Sequence, residues 1–162
     1  MSATLRTISQ LMLNELLRQA AASPRRRAIY RLHEHEEPVQ RMINAIVPGS
    51  YVQPHKHENP DKVELFAILE GRVACLQFTP QGALELAVIL DASGPDRVVD
   101  IPPRVYHSLI ALKPSALVEI IQGPYDAAAH KQFAPWAPAE NSPEAAAYLH
   151  QLEAQVRQRT SA

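Results

Sequence analysis

His55 and His57 stand two residues apart in Gln53-Pro54-His55-Lys56-His57. In an extended chain such residues point to the same side, so both imidazoles can reach one ion. Nitrogens at this separation suit zinc, iron, nickel, copper or manganese, and a carboxylate would add a harder oxygen ligand. Glu64 is placed to supply it. It lies within Val63-Glu64-Leu65-Phe66-Ala67-Ile68-Leu69, an almost wholly apolar strand in which an unpaired carboxylate is costly to bury and a cation would relieve that cost. His107 follows Ile101-Pro102-Pro103-Arg104-Val105-Tyr106, a proline turn feeding a second apolar strand, and offers a third imidazole. A lone histidine near a strand is more often a core or surface residue than a ligand; the set is what points to a metal. His33-Glu34-His35 has the same spacing, but Glu36, Glu37 and Pro38 follow it and no apolar strand frames it. It is expected to be a solvated connector, and Arg25, Arg26 and Arg27 a solvated face.

The elements that must position these groups fall into three stretches. Over residues 7–22, apolar side chains recur at Ile8, Leu11, Met12, Leu13, Leu16, Leu17 and Ala20, the spacing of an amphipathic helix. Thr7 and Gln10 offer a capping box, and Ser23-Pro24 a stop. The apolar face packs either on the rest of the chain or on a second copy. Beyond Pro38, short apolar runs alternate with Pro, Gly, Asn and Asp, the mark of an all-β domain. Strands are expected over 40–47, 63–69, 72–78, 84–90, 97–101, 107–111 and 116–122. Their short turns, such as Glu70-Gly71 and Pro80-Gln81-Gly82, favour antiparallel hairpins. Residues 123–141 hold three of the fourteen prolines and are expected to form an ordered arm across the barrel, with Trp136 as its anchor. A last helix follows, with Ser142 as cap, Pro143 in its first turn, and Tyr148, Leu149, Leu152 and Val156 as its stripe.

Length and charge bound the partners. The 162 residues suit one domain, organised as a helix and connector (1–37), a barrel (38–122), and an arm with helix (123–162). Sixteen basic against seventeen acidic residues give a net charge of -1, and with no basic stripe beyond 25–27 a nucleic-acid partner is not expected. No apolar run approaches the length of a membrane span, and the first residues lack a secretory pattern, so a cytoplasmic protein is expected. The single cysteine, Cys75, excludes an intramolecular disulfide and reads as a strand residue.

The sequence resembles the cupin superfamily. Its first motif is matched by Gly49, His55, Lys56, His57, Glu64 and Gly71, its second by Pro102, Arg104 and His107. The resemblance implies a mainly β fold, an antiparallel jelly-roll barrel with the N-terminal helix and the C-terminal arm and helix attached. It also implies one divalent ion (iron, manganese, zinc or nickel) on His55, His57, Glu64 and His107. The spacing from His57 to Glu64 is longer than usual, which implies an enlarged loop at 58–63. Arg104 stands where glycine is usual and Ala111 where asparagine is frequent. Across nearly the whole chain the sequence is similar to the WbuC family of cupin-fold metalloproteins, associated with bacterial surface-polysaccharide gene clusters. Pro38-Val39-Gln40-Arg41, Asn44, Gly123-Pro124-Tyr125-Asp126, Lys131 and Phe133-Ala134-Pro135-Trp136-Ala137-Pro138 carry that similarity. It implies a sugar-derived substrate and no established reaction.

Around the ion, Arg41, Asn44, Tyr51, Lys62 and Tyr106 are expected at the barrel mouth as ligand-binding residues, with Tyr51, Glu58 and Tyr106 as candidate bases. Tyr125, Lys131 and Trp136 are weaker candidates. Four protein ligands leave two positions of an octahedral ion open, which suits an isomerase, lyase, hydrolase or dioxygenase acting on a small polar molecule. The alternative is a binding module in which the ion merely orients a ligand. Barrel edges need cover, and a homodimer is expected to provide it.

Overall fold

Period-two alternation gives each central strand two faces, and that division builds the molecule in layers. The computed structural model describes residues 4–160. Helix α1 (Gln10–Ala22) is followed by β1 (Arg27–Arg31), β2 (Val39–Ile46), β3 (His55–Lys56), β4 (Glu64–Glu70), β5 (Arg72–Phe78), β6 (Leu84–Asp91), β7 (Val98–Ile101), β8 (Tyr106–Ala111), β9 (Ser115–Gln122), β10 (Gln132–Phe133) and α2 (Ala145–Thr160). The strands form two five-stranded sheets, ordered β1-β2-β9-β4-β7 and β10-β3-β8-β5-β6, and every pairing is antiparallel.

Between the sheets lies the barrel core of Phe66, Ile68, Val73, Leu90, Leu109 and Leu117. The opposite face of the first sheet, with Ile43, Ala45 and Ala116, takes Leu13, Leu16 and Ala20 of α1. The opposite face of the second, with Leu76, Phe78 and Ile110, takes Leu149, Leu152 and Val156 of α2. The N-terminal helix therefore packs on its own barrel. Trp136 anchors the arm as expected: its ring stacks near Phe78 and Tyr106 at centroid distances of 5.2 and 5.7 Å, and its Nε1 donates to the Pro80 carbonyl at 3.1 Å.

The seven expected strands form within a residue of their bounds. Three further strands, β1, β3 and β10, carry no readable alternation because two of them span two residues and β1 begins among arginines. Arg27 is consequently not a solvated residue. It donates to the Tyr51 carbonyl at 2.6 Å and pairs with Glu140 at 2.5 Å, tying β1 to the arm. His33 is buried as well, its ring clipped between the backbone carbonyl and N–H of Arg41. The cap of α1 is Ser9, which accepts from the Met12 N–H, and not Thr7. Ser142 does not cap α2 through its hydroxyl, which has no partner. Among the described residues no helix is long and apolar enough to cross a membrane.

Gly71 explains one motif position physically. Its φ is +84°, and a Cβ there would lie 2.2 Å from the Pro114 carbonyl oxygen, so the β4–β5 hairpin closes only over a bare backbone. Arg104, at a place where glycine is usual, also takes a positive φ of 67° while its N–H donates to the His57 carbonyl.

Two measurements check this core. Leu117 is fully buried, and Leu117→Ala should cost about 2–5 kcal/mol in urea unfolding, the range for an emptied core leucine. Burial pushes the Cys75 thiol up, so maleimide should label it only in denaturant.

Candidate metal centre

The barrel brings His55, His57, Glu64 and His107 together from both sheets. Their ligand atoms all lie within 4.8 Å of one another, and all four side chains are buried. His55 and His107 are direct partners across β3 and β8. His57 follows β3 by one residue, and Glu64 opens β4 on the facing sheet, held between Ile101 of β7 and Ile121 of β9. The enlarged loop at 58–63 thus spans the gap between sheets and returns the chain with its carboxylate aimed at the imidazoles.

Each imidazole is oriented by its far nitrogen. Nδ1 of His55, His57 and His107 meets the backbone carbonyls of Gln53, His130 and Val105 at 2.9, 2.6 and 2.9 Å. A carbonyl only accepts, so each Nδ1 carries the proton and each Nε2 turns a lone pair inward. Glu64 Oε2 lies 3.1 Å from His57 Nε2 and 2.9 Å from His107 Nε2. The latter nitrogen is not aligned for a hydrogen bond, and His55 Nε2 has no partner. Burial holds the His55 imidazole well below its usual pKa and therefore neutral. Three inward lone pairs and a carboxylate around one buried point are the donor set of a divalent transition metal, and one cation would satisfy all four.

This cluster floors a cavity of about 620 Å³ between the sheets. Asn44, expected at the mouth, does line it, donating to Glu119 of β9. The other expected residues lie elsewhere. Strand alternation puts Arg41 on the outer face of β2, where it pairs with Glu37, and Tyr106 on the face of β8 opposite His107, against Trp136. Tyr51 is buried in the layer under α2, its hydroxyl donating to the Pro138 carbonyl at 2.8 Å. Glu58 pairs with Lys56 and approaches Arg104 at 3.9 Å, outside the cavity. Lys62 is buried and donates to the Pro124 carbonyl at 2.9 Å, fastening the arm.

Sequence reading missed Glu119. It lies opposite Phe66 of β4 and Met42 of β2, and faces the cavity beside Glu64. Burial first, then the Glu64 charge, pushes its carboxyl up to about 8, against the pull of Lys131 and Asn44. The signal was a single glutamate interrupting Ala116-Leu117-Val118-Glu119-Ile120-Ile121, the same anomaly that singled out Glu64. Arm residues His130, Lys131 and Phe133 also line the cavity.

The architecture is the cupin jelly roll, and solved structures share it. The capsular polysaccharide assembling protein CapF of Staphylococcus aureus superposes with a TM-score of 0.56 at 19% identity over 68% of this chain and 32% of CapF. An oxalate oxidase in complex with the substrate analogue glycolate gives 0.52 at 16% identity, over 71% of this chain and 58% of that one. KdgF from Halomonas sp. gives 0.50 at 16%, over 64% and 84%. The chain thus spans about a third of CapF, and at these identities the likeness is one of fold. No curated protein matches the chain. Within the cupin fold, the chain belongs to the family described as a domain of unknown function, DUF6016, whose pattern matches residues 8–90.

Glu119 carries a pH signature. A carboxyl raised from 4.5 to about 8 contributes stability that is complete below 4.5 and is lost as pH rises through 8, because the unfolded chain releases its proton first. Thermal melts of the metal-free protein should show this decline, and Glu119→Gln should flatten it; equal slopes for the two proteins would show Glu119 ionised throughout.

Proposed function

We propose that the protein is a metal-dependent cupin enzyme acting on a small polar or sugar-derived metabolite. One observation carries the reading: three buried imidazoles, each locked with its Nε2 inward, converge with the Glu64 carboxylate on one point. His55, His57, Glu64 and His107 would hold one divalent ion, iron, manganese, zinc or nickel. When bound, such an ion polarises an oxygen of the ligand as a Lewis acid. The chain's own residues supply the rest. The barrel walls exclude water, Asn44 orients by hydrogen bonding, and Glu119 holds a proton beside the site. That second carboxyl favours an enzyme over a module that only carries a ligand.

The WbuC-like arm, Tyr125, Lys131 and Trp136 among its residues, supports a role in bacterial surface-polysaccharide biosynthesis, and the likeness to CapF, a capsular polysaccharide assembling protein, points the same way. In this reading the protein is a cytoplasmic homodimer. Its barrel, 38–122, carries the centre, and the helix and connector of 1–37 and the arm and helix of 123–162 complete one domain.

Elemental analysis of the tag-free protein beside a His55→Ala/His57→Ala double variant tests the centre. About one equivalent of a transition metal is expected in the native protein and none in the variant, with the β-sheet circular dichroism retained. A metal-free native protein that stays empty after reconstitution would overturn the reading.

A further inference from the structure

Among the described residues, two of the cavity's cationic side chains have no carboxylate partner. Arg25 and Arg27 are neutralised by Glu140. Arg31 touches only the His35 ring, at 2.8 Å. Lys131 makes no hydrogen bond or ion pair among the described residues, yet it lines the cavity. Its direction follows from the backbone. Gln132 and Phe133 pair with Lys56 and His55 as β10 joins β3, and Phe133 faces the cavity, 6.2 Å from the His55 ring. Lys131, two residues before Phe133, takes the same side, while Gln132 turns away to the Glu58 carbonyl. The ammonium acts on the centre as well: its charge helps to lower the His55 and His130 imidazoles and pulls down the Glu119 carboxyl. Beside it, His130 offers an Nδ1 that has no partner.

An exposed ammonium at the edge of a cavity, ion-paired with no carboxylate among the described residues, adds a positive field there and recruits an anion. We propose that the cavity binds a small anion, a carboxylate or phosphate, between the four-ligand centre and Lys131, with Lys131 as the residue that selects charged over neutral ligands. This rests on the metal-centre reading and adds the ligand's chemical class. An oxyanion can bridge the two because its oxygens serve a hard cation and an ammonium at once.

Calorimetric titration of the full-length protein, with the metal it holds as purified, tests this. The probes are lactate, inorganic phosphate and propane-1,2-diol, which keeps the lactate skeleton without its charge. Wild type should bind lactate or phosphate more tightly than the diol, and the tighter anion identifies the carboxylate or phosphate source. Lys131→Met should weaken anion binding roughly tenfold or more, the scale of one lost charged contact, with metal content unchanged, and Lys131→Arg should restore most of it. Lys131 is exposed in the arm, so neither variant threatens the fold. Unweakened anion binding in Lys131→Met, a diol that matches lactate, or no anion binding by wild type would each overturn the proposal. If the purified protein carries no metal, the centre fails separately, and phosphate binding to wild type and Lys131→Met still decides the role of Lys131.

Discussion

A carboxylate buried against three imidazole lone pairs is the constraint around which this chain is organised. Glu64 comes from one sheet and His55 and His107 from the other, so the two sheets must approach closely enough for their side chains to meet and must hold that spacing. Without a cation the arrangement is costly, since like-signed electron density is concentrated where water cannot reach. The surrounding contacts serve this point: carbonyls that fix each ring, an apolar core beside it, and neighbouring strands on both sides of Glu64.

The two helices and the arm support the centre from outside. Each helix covers one sheet's outer face, leaving the inner faces free to frame a cavity. The arm reaches further inward. The His130 carbonyl orients His57, Lys62 is fastened to Pro124, and β10 completes the sheet at β3. A segment that looks in sequence like a proline-rich connector is therefore a wall of the site, and it brings a chemical group of its own, the Lys131 ammonium. Ion pairs from Arg25 and Arg27 to Glu140 close the arm against β1.

The placement of the polar residues follows a single rule. On β2, Asn44 faces the cavity and Arg41 does not; on β8, His107 faces it and Tyr106 does not. One residue of offset along a strand reverses the side chain's direction, so residue type and nearness to a motif are poor guides to ligand contact. Burial decides the remainder: Tyr51 contributes an apolar ring and one hydrogen bond to a layer remote from the cavity.

The sequence alone determined the strands of the barrel, both helices and the four converging ligands. Apolar alternation and turn residues report local geometry directly, and His-x-His with a lone glutamate in an apolar strand reports a local cost that needs an answer. What only the tertiary structure decided is everything set by distant partners. The two-residue strands β3 and β10 exist because they pair across the fold, Arg27 is half-buried because Glu140 waits in the arm, and Glu119 matters because β9 lies beside β4. The orientation of Lys131 belongs with these, since a pairing at Phe133 fixes which way it points. Such facts depend on which segments meet, and the free energy that brings them together is summed over the whole core and is not carried by any short stretch of chain.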